Sequence, residues 1–143
     1  MKPRLFLDTN ILVDYLTNRS GSLEAINVLQ LAKEDKVDLI TSVLSMANIA
    51  YILRKELAGL QFYENMRMIS SWIEVAANTA FEYEAALNLE ARDFEDALQY
   101  FCAETQHCAA IITKNINDFT FSVIPVMTPS ELLQKDYHGQ LGT

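Results

Sequence analysis

Four aspartates are the residues of this sequence best placed to do chemistry together. Asp8 closes the short apolar stretch Arg4 to Leu7, Asp93 and Asp96 open a stretch with helical period, and Asp118 follows the apolar run Ala109 to Thr113. Residues three apart share one side of a helix's first turn, and the partial positive charge of a helix N-terminus favours carboxylates there. Carboxylates that converge repel one another unless a cation intervenes, and their hard oxygens suit Mg²⁺ or Mn²⁺. Such an ion polarises a phosphodiester, lowers the pKa of a bound water and stabilises the leaving oxygen, which is the chemistry of phosphodiester hydrolysis. Each acid also has a structural use. Asp93 is a good N-cap, and for it that role comes first; Asp96 at the third helical position favours the dipole, Asp8 can cap the next helix, and Asp118 can hold a turn. Their joint placement speaks for chemistry. Nucleophilic catalysis has little support, because His107 and His138 match no ligand spacing and no Ser-His or Cys-His pairing is evident.

The elements that must position these acids alternate between strand and helix. Arg4 to Leu7 reads as a strand, and Ile11, Leu12, Tyr15 and Leu16 have helical period after it. Leu23, Ile26 and Leu29 mark a second helix to about Lys36, Val37 to Thr41 a buried strand, and Ser42 to Leu57 a third helix with Gly59 as its stop. Gln61 to Ser70 reads as helix, Trp72 to Ala76 as strand, and Thr79 to Glu90 and Asp93 to Glu104 as helices. Ala109 to Thr113 is the clearest buried strand, and Ser122 to Val126 is a weaker edge strand. Thr128-Pro129-Ser130-Glu131 carries an N-cap threonine, a first-turn proline and a glutamate three after the cap, so it opens a final helix. Such alternation predicts an α/β domain in which helices cover both faces of a parallel sheet, with the ligand site beyond the carboxyl ends of the strands. Asp8 and Asp118 both fall at that edge.

Composition bounds the reading. At 143 residues, half of them apolar, the chain suffices for one domain with a real core, assigned to residues 1–136, with 137–143 expected to form a flexible tail. Its longest apolar runs are far shorter than the roughly 20 residues that span a bilayer, and Asp8 interrupts any signal-peptide core, so a cytoplasmic address is expected. A formal charge of −8 argues against gripping nucleic acid by broad charge neutralisation and leaves only local contacts. Cys102 and Cys108 form neither a CxxC nor a zinc-knuckle spacing and read as small buried apolar groups.

The motifs carry a resemblance. Leu7-Asp8-Thr9-Asn10-Ile11-Leu12-Val13-Asp14 resembles the opening LDTNxLxD motif of PIN domains, and Thr113 to Phe119 resembles their TxNxxDF motif. Ser42-Val43-Leu44-Ser45 looks like the family's second segment, and Asp93-Phe94-Glu95-Asp96-Ala97 like its third. The resemblance implies a three-layer α/β/α fold around a central parallel sheet, and similarity to VapC toxins of toxin-antitoxin pairs, which are Mg²⁺- or Mn²⁺-dependent endoribonucleases. Carried over residue by residue, it makes Asp8, Asp96 and Asp118 the catalytic metal ligands, with Asp93 and Asn48 as further candidates. Asn10, Thr113 and Asn115 would support them. RNA would be the substrate, an antitoxin protein a partner, and a homodimer a further assembly.

Two positions depart from the pattern. Where the second segment usually has Glu this chain has Asn48, and the fourth segment has Asn115 where Asp is common. An amide can offer a carbonyl oxygen but adds no negative charge, so metal binding and cleavage would both weaken. The alternative reading is therefore a catalytically weakened PIN domain that binds RNA or protein, and a structure-specific DNA nuclease would share the same metal chemistry. Arg92 and Lys114 adjoin the third and fourth segments and are the expected RNA contacts, with Arg19 and Lys55 nearby. Phe62, Tyr63, Met66, Met68 and Trp72 form an apolar group that suits either the core or a partner surface.

Overall fold

The computed structural model describes residues 2–141, and the strands and helices are counted among these described residues. Five strands, β1 (Arg4–Leu7), β2 (Asp38–Ser42), β3 (Ile73–Ala76), β4 (Ala110–Ile112) and β5 (Val126–Met127), form one parallel sheet in the order β3-β2-β1-β4-β5. Seven helices surround it: α1 (Thr9–Leu16), α2 (Ser22–Lys33), α3 (Val43–Ile52), α4 (Gly59–Ser70), α5 (Ala80–Leu89), α6 (Phe94–Thr105) and α7 (Pro129–Tyr137). This is the three-layer α/β/α arrangement. Because β1 is central and covered on both faces, its apolar residues alternate between two cores rather than between core and solvent. Leu5 and Leu7 pack with Ile11 and Leu12 of α1, Val28 and Leu29 of α2, Ile49 of α3 and Leu132 of α7. Phe6 packs on the other side with Ile40, Ile111, Tyr100 and Ala103 of α6, and Phe119.

Local chemistry sets the helix starts. Thr79 with Glu82 and Thr128 with Glu131 form capping boxes at α5 and α7, the latter with Pro129 in the first turn. Three boundaries differ from the sequence reading. Helix α3 ends at Ile52, not Leu57, because Leu53 to Glu56 form tight turns while Leu53 and Leu57 stay buried, so the apolar period outlasts the helix. Gly59 does not stop that helix; at φ +60°, where a side chain would be strained, it opens α4. The edge strand is only Val126–Met127, since the Ser122 hydroxyl both accepts from Ile124 N (3.0 Å) and donates to Ile124 O (2.6 Å), holding a local turn instead of a ladder. On α2, Leu23 and Ile26 face outward, and the buried stripe is Ala25, Val28 and Leu29.

The two thiols are buried and free, and burial pushes Cys102 up to about 12 and Cys108 up to about 11, which keeps both protonated. The apolar group around α4 divides: Phe62 and Met66 pack on the core, whereas Tyr63, Met68 and Trp72 are exposed. At the C-terminus α7 reaches Tyr137, and Leu141 packs against the core; Gly142 and Thr143 lie outside the described residues. Among the described residues no helix is long and apolar enough to cross a membrane.

Candidate active site

From β1 the chain steps outward to β2 and β3, then crosses back to place β4 on the other side of β1. The reversal of strand order therefore lies between β1 and β4, where an open parallel sheet leaves a crevice at its carboxyl edge. Asp8 immediately follows β1 and Thr113 immediately follows β4, joined by the ladder bond from Asp8 N to Ile112 O (3.0 Å).

Asp8 caps α1, its Oδ1 accepting from Thr9 N at 2.8 Å, and its Oδ2 accepts from the Thr113 hydroxyl at 2.8 Å and from Asn10 Nδ2 at 3.3 Å. Thr113 in turn accepts from Asn115 N at 3.1 Å, and Asn10 Oδ1 accepts from Lys114 N at 3.4 Å. The loop after β4 is thus pinned to the loop after β1. Burial dominates the electrostatics: it pushes the Asp8 carboxyl above its ordinary range, the hydrogen bonds from Thr113 and Thr9 pull the other way, and the charges of Asp118 and Asp93 push it up again.

The third and fourth acids come from α6 and from a 3₁₀ turn at Ile116–Phe119. Asp93 is the N-cap of α6, its Oδ1 accepting from Asp96 N at 3.1 Å, so its capping role is realised. Asp96 is half-buried and pushed up to about 7, first by desolvation, then by the charges of Asp93, Asp8, Asp118 and Glu95. Asp8, Asn10, Asn48, Asp93, Asp96, Asn115 and Asp118 all line one cleft of about 570 Å³.

Several partners were not foreseen. Asn48 donates from Nδ2 to Glu95 Oε2 at 3.2 Å across the cleft, so the amide faces a carboxylate from the opposite wall. Lys114 is held by buried Asp14, Nζ to Oδ2 2.7 Å, which makes it a neutralised group rather than a free cation. Gly21 packs so closely on this pair that a Cβ there would lie 2.6 Å from Asp14 Oδ2, and its φ of +98° also favours glycine. Arg19 pairs with Glu56 at 2.8 Å. Lys55 lies in the turns beyond α3 rather than on the same helix face as Asn48, and it does not line the cleft. Arg92 is exposed and lines a second cleft of about 690 Å³ that shares Asp93, Asp96 and Asp118 with the first.

Beneath the acids lies a buried polar network that patterning did not reveal. Gln99, one turn beyond Asp96, donates to Ser45 Oγ and accepts from Ser42 Oγ at 2.5 Å, and Thr9 Oγ1 donates to Ser45 Oγ at 2.9 Å. It ties α6, the start of α3 and the residue after Asp8 together. The signal was a glutamine on the inward face of α6, at Cys102 and Ala103's side, which period alone reads as an interruption.

The model of the PIN domain family matches residues 4–117, and the chain belongs to that family. Asp118 lies one residue past the matched stretch, so its place in the site rests on the cleft it lines. The Ribonuclease VapC1 of Aquifex aeolicus is 28% identical over 141 residues, covering 92% of this chain and 94% of the relative. Among solved structures, a toxin-antitoxin complex from Klebsiella pneumoniae superposes with a TM-score of 0.66 at 23% identity, over 87% of this chain and 97% of that one. VapC20 of Mycobacterium tuberculosis, a toxin that cleaves the sarcin-ricin loop, gives 0.61 at 15% identity, over 75% and 86%. These structures share the fold.

Proposed function

We propose that this chain is a divalent-metal-dependent endoribonuclease of the VapC toxin kind. The observation that carries the reading is the convergence of Asp8, Asp93, Asp96 and Asp118 on one cleft at the switch point of the sheet, close enough for the charges of Asp93 and Asp118 to push up both Asp8 and Asp96. Likeness to a ribonuclease over nearly the whole chain supports it.

The donor set suits a hard cation that keeps much of its water. Among the described residues no three His, Cys, Asp or Glu side chains are grouped closely enough to hold an ion by themselves, so an ion here would lean on water and phosphate oxygens as well. Mg²⁺ and Mn²⁺ are held by one or two carboxylates with water completing the shell, and here Asp8, Asp96 and Asp118 would hold the ion, one or two of them directly and the rest through its water, with Asp93 and the Asn48 carbonyl beside them. Once bound, such an ion supplies Lewis acidity at the phosphate and relieves the repulsion among the acids. The chain's own residues do the rest. Thr113 and Asn10 fix the orientation of Asp8, Gln99 fixes the turn of α6 that carries Asp96, and Arg92 offers a charge to the RNA backbone where the second cleft begins. Lys114, tied to Asp14, shapes the wall of the first cleft more than it meets phosphate. An antitoxin would be the protein partner, and exposed Tyr63, Met68 and Trp72 offer apolar area for it or for a second copy.

One observation favours a second reading. Asn48 and Asn115 put amides in the cleft where the family pattern usually has acids, and Asn48 is engaged by Glu95, which suits a PIN domain that binds RNA or protein without cutting. Incubating the purified protein with RNA and with DNA in Mg²⁺, Mn²⁺ or EDTA separates the readings. Cleavage of RNA that EDTA stops is the expected result. RNA bound but intact under every condition would establish the binder, and cleavage of DNA alone would make the enzyme a DNA nuclease.

A further inference from the structure

An aromatic ring stands on the rim of the cleft with one face braced. Tyr51 lies on the last turn of α3, 68% exposed, and lines the same cleft as Asp8, Asp96 and Asp118. The Arg54 guanidinium carbon sits 4.1 Å from the ring centroid, and Arg54 Nη1 donates to the Tyr51 carbonyl at 2.7 Å. An exposed tyrosine ordinarily keeps its rotamer freedom, and ordering it on binding costs entropy. Here a cationic plane anchored to the ring's own backbone has already restricted it, at a distance suited to cation–π attraction. The core does not explain that arrangement, since neither hydrophobic cluster includes Tyr51.

A braced, exposed ring beside phosphate-handling carboxylates matches the recognition of unpaired bases, which stack on aromatic faces when no duplex holds them. The two clefts support this placement. Asp93, Asp96 and Asp118 line both, whereas Tyr51 borders only the first and Arg92 only the second. A strand whose phosphate lies over the shared acids therefore has nucleotides on either side, one of them within reach of Tyr51. We propose that Tyr51, backed by Arg54, is the stacking platform for an unpaired RNA base next to the scissile phosphate; the inference rests on the ribonuclease reading above.

The test walks a single 2-aminopurine through a single-stranded RNA of about ten nucleotides and titrates each probe with protein in EDTA, where stacking quenches its fluorescence. Wild type and Tyr51→Phe should quench the probe at one position. Tyr51→Ala should lose that quenching and bind about tenfold more weakly, and Arg54→Gln should bind about threefold more weakly through loss of the brace. Both positions are exposed, so matched melting temperatures should accompany the loss. If Tyr51→Ala binds and quenches like wild type while wild type cleaves RNA, the platform is wrong and the ribonuclease reading stands. If wild type neither binds nor cleaves single-stranded RNA in Mg²⁺ or Mn²⁺, the ribonuclease reading falls and the platform falls with it.

Discussion

The two edges of the sheet handle charge in opposite ways. At the amino edge, Lys2 reaches Asp35 at 2.5 Å and Asp38 at 3.1 Å, Arg4 reaches Glu74 at 3.1 Å and the Gln106 carbonyl at 2.9 Å, and Lys36 reaches Asp136 at 3.0 Å. At the carboxyl edge cations are also near, but Lys114 answers Asp14 and Arg19 answers Glu56. Among the described residues no lysine or arginine forms an ion pair with Asp8, Asp93, Asp96 or Asp118. One edge pairs its charges for solubility and modest stability; the other keeps like charges together at a cost that a proton or a cation from solution would relieve. Uncompensated charge inside a cleft is a functional signal because stability alone does not account for it.

The largest effect should come from removing one of the uncompensated acids. Asp8→Asn should abolish RNA cleavage, a loss beyond the roughly 10–100-fold expected for an outer partner of a ligand. Metal binding should weaken as well. The metal-free variant should melt no lower than wild type, because a buried carboxyl raised by burial and by its neighbours' charges has been replaced by a neutral group of the same shape. Calorimetric Mn²⁺ titration beside melting curves checks both parts, and full activity in the variant would remove Asp8 from the site.

Next in size is the pair that walls the cleft. Lys114→Ala leaves the Asp14 carboxylate buried without its cation, a loss of roughly 1–3 kcal/mol by the cost of an unsatisfied buried group. The double variant Asp14→Asn with Lys114→Ala should recover most of that. Arg92→Ala, by contrast, should leave stability alone, weaken RNA binding and flatten its salt dependence by up to about one counterion. Denaturant melts and RNA titrations at several salt concentrations distinguish the two cations. Equal effects of both on RNA affinity would restore Lys114 as a phosphate contact.

What the sequence revealed and what it concealed follow the same division. The strand ends that carry Asp8 and Thr113, and the cap that carries Asp93 and Asp96, were readable because periodicity and capping are local. The Asp14–Lys114 pair, the Asn48–Glu95 contact and the Gln99 network each join segments far apart in the chain, and no local pattern records which polar group another will meet. Leu53 and Leu57 concealed the end of α3 for a related reason, since a buried turn can keep the apolar spacing of the helix before it. Tyr51 was hidden because an exposed tyrosine on a helix is unremarkable until its brace and its cleft are known.

A smaller effect concerns pH. Asp96 is near 3.8 when unfolded and is pushed up to about 7 in the folded, metal-free protein, so the folded state holds the extra proton between those values. Stability of the metal-free protein should then be fully present below about pH 4 as far as this group is concerned, and be lost progressively as pH rises through 7. Melting temperature should fall by a few °C, on the order of 2–4 °C per kcal/mol, between pH 5.5 and 8. Asp96→Asn should flatten that slope, and saturating Mn²⁺ should suppress it in wild type. A slope unchanged in Asp96→Asn would assign the proton to another acid.

The smallest effect belongs to the amino edge and serves to break the contrast if it is false. Lys2 sits between Asp35 and Asp38, which raise its pKa, yet it is exposed and its charges are open to solvent and salt. Exposed pairs contribute little, because water solvates the separated ions nearly as well as they solvate each other and two long side chains must be ordered to meet. Lys2→Ala should therefore move the melting temperature by less than about 2 °C, and the difference should shrink further in about 1 M salt, where the Debye length falls to roughly 3 Å. RNA cleavage and Mn²⁺ affinity should match wild type within error, because Lys2 lies before β1 and the acids lie beyond its other end. If Lys2→Ala shifted metal affinity as Asp8→Asn does, charge at the two edges would be coupled through the sheet. The carboxyl edge could then no longer be treated as a site whose acids answer only to one another and to the cation proposed to bind there.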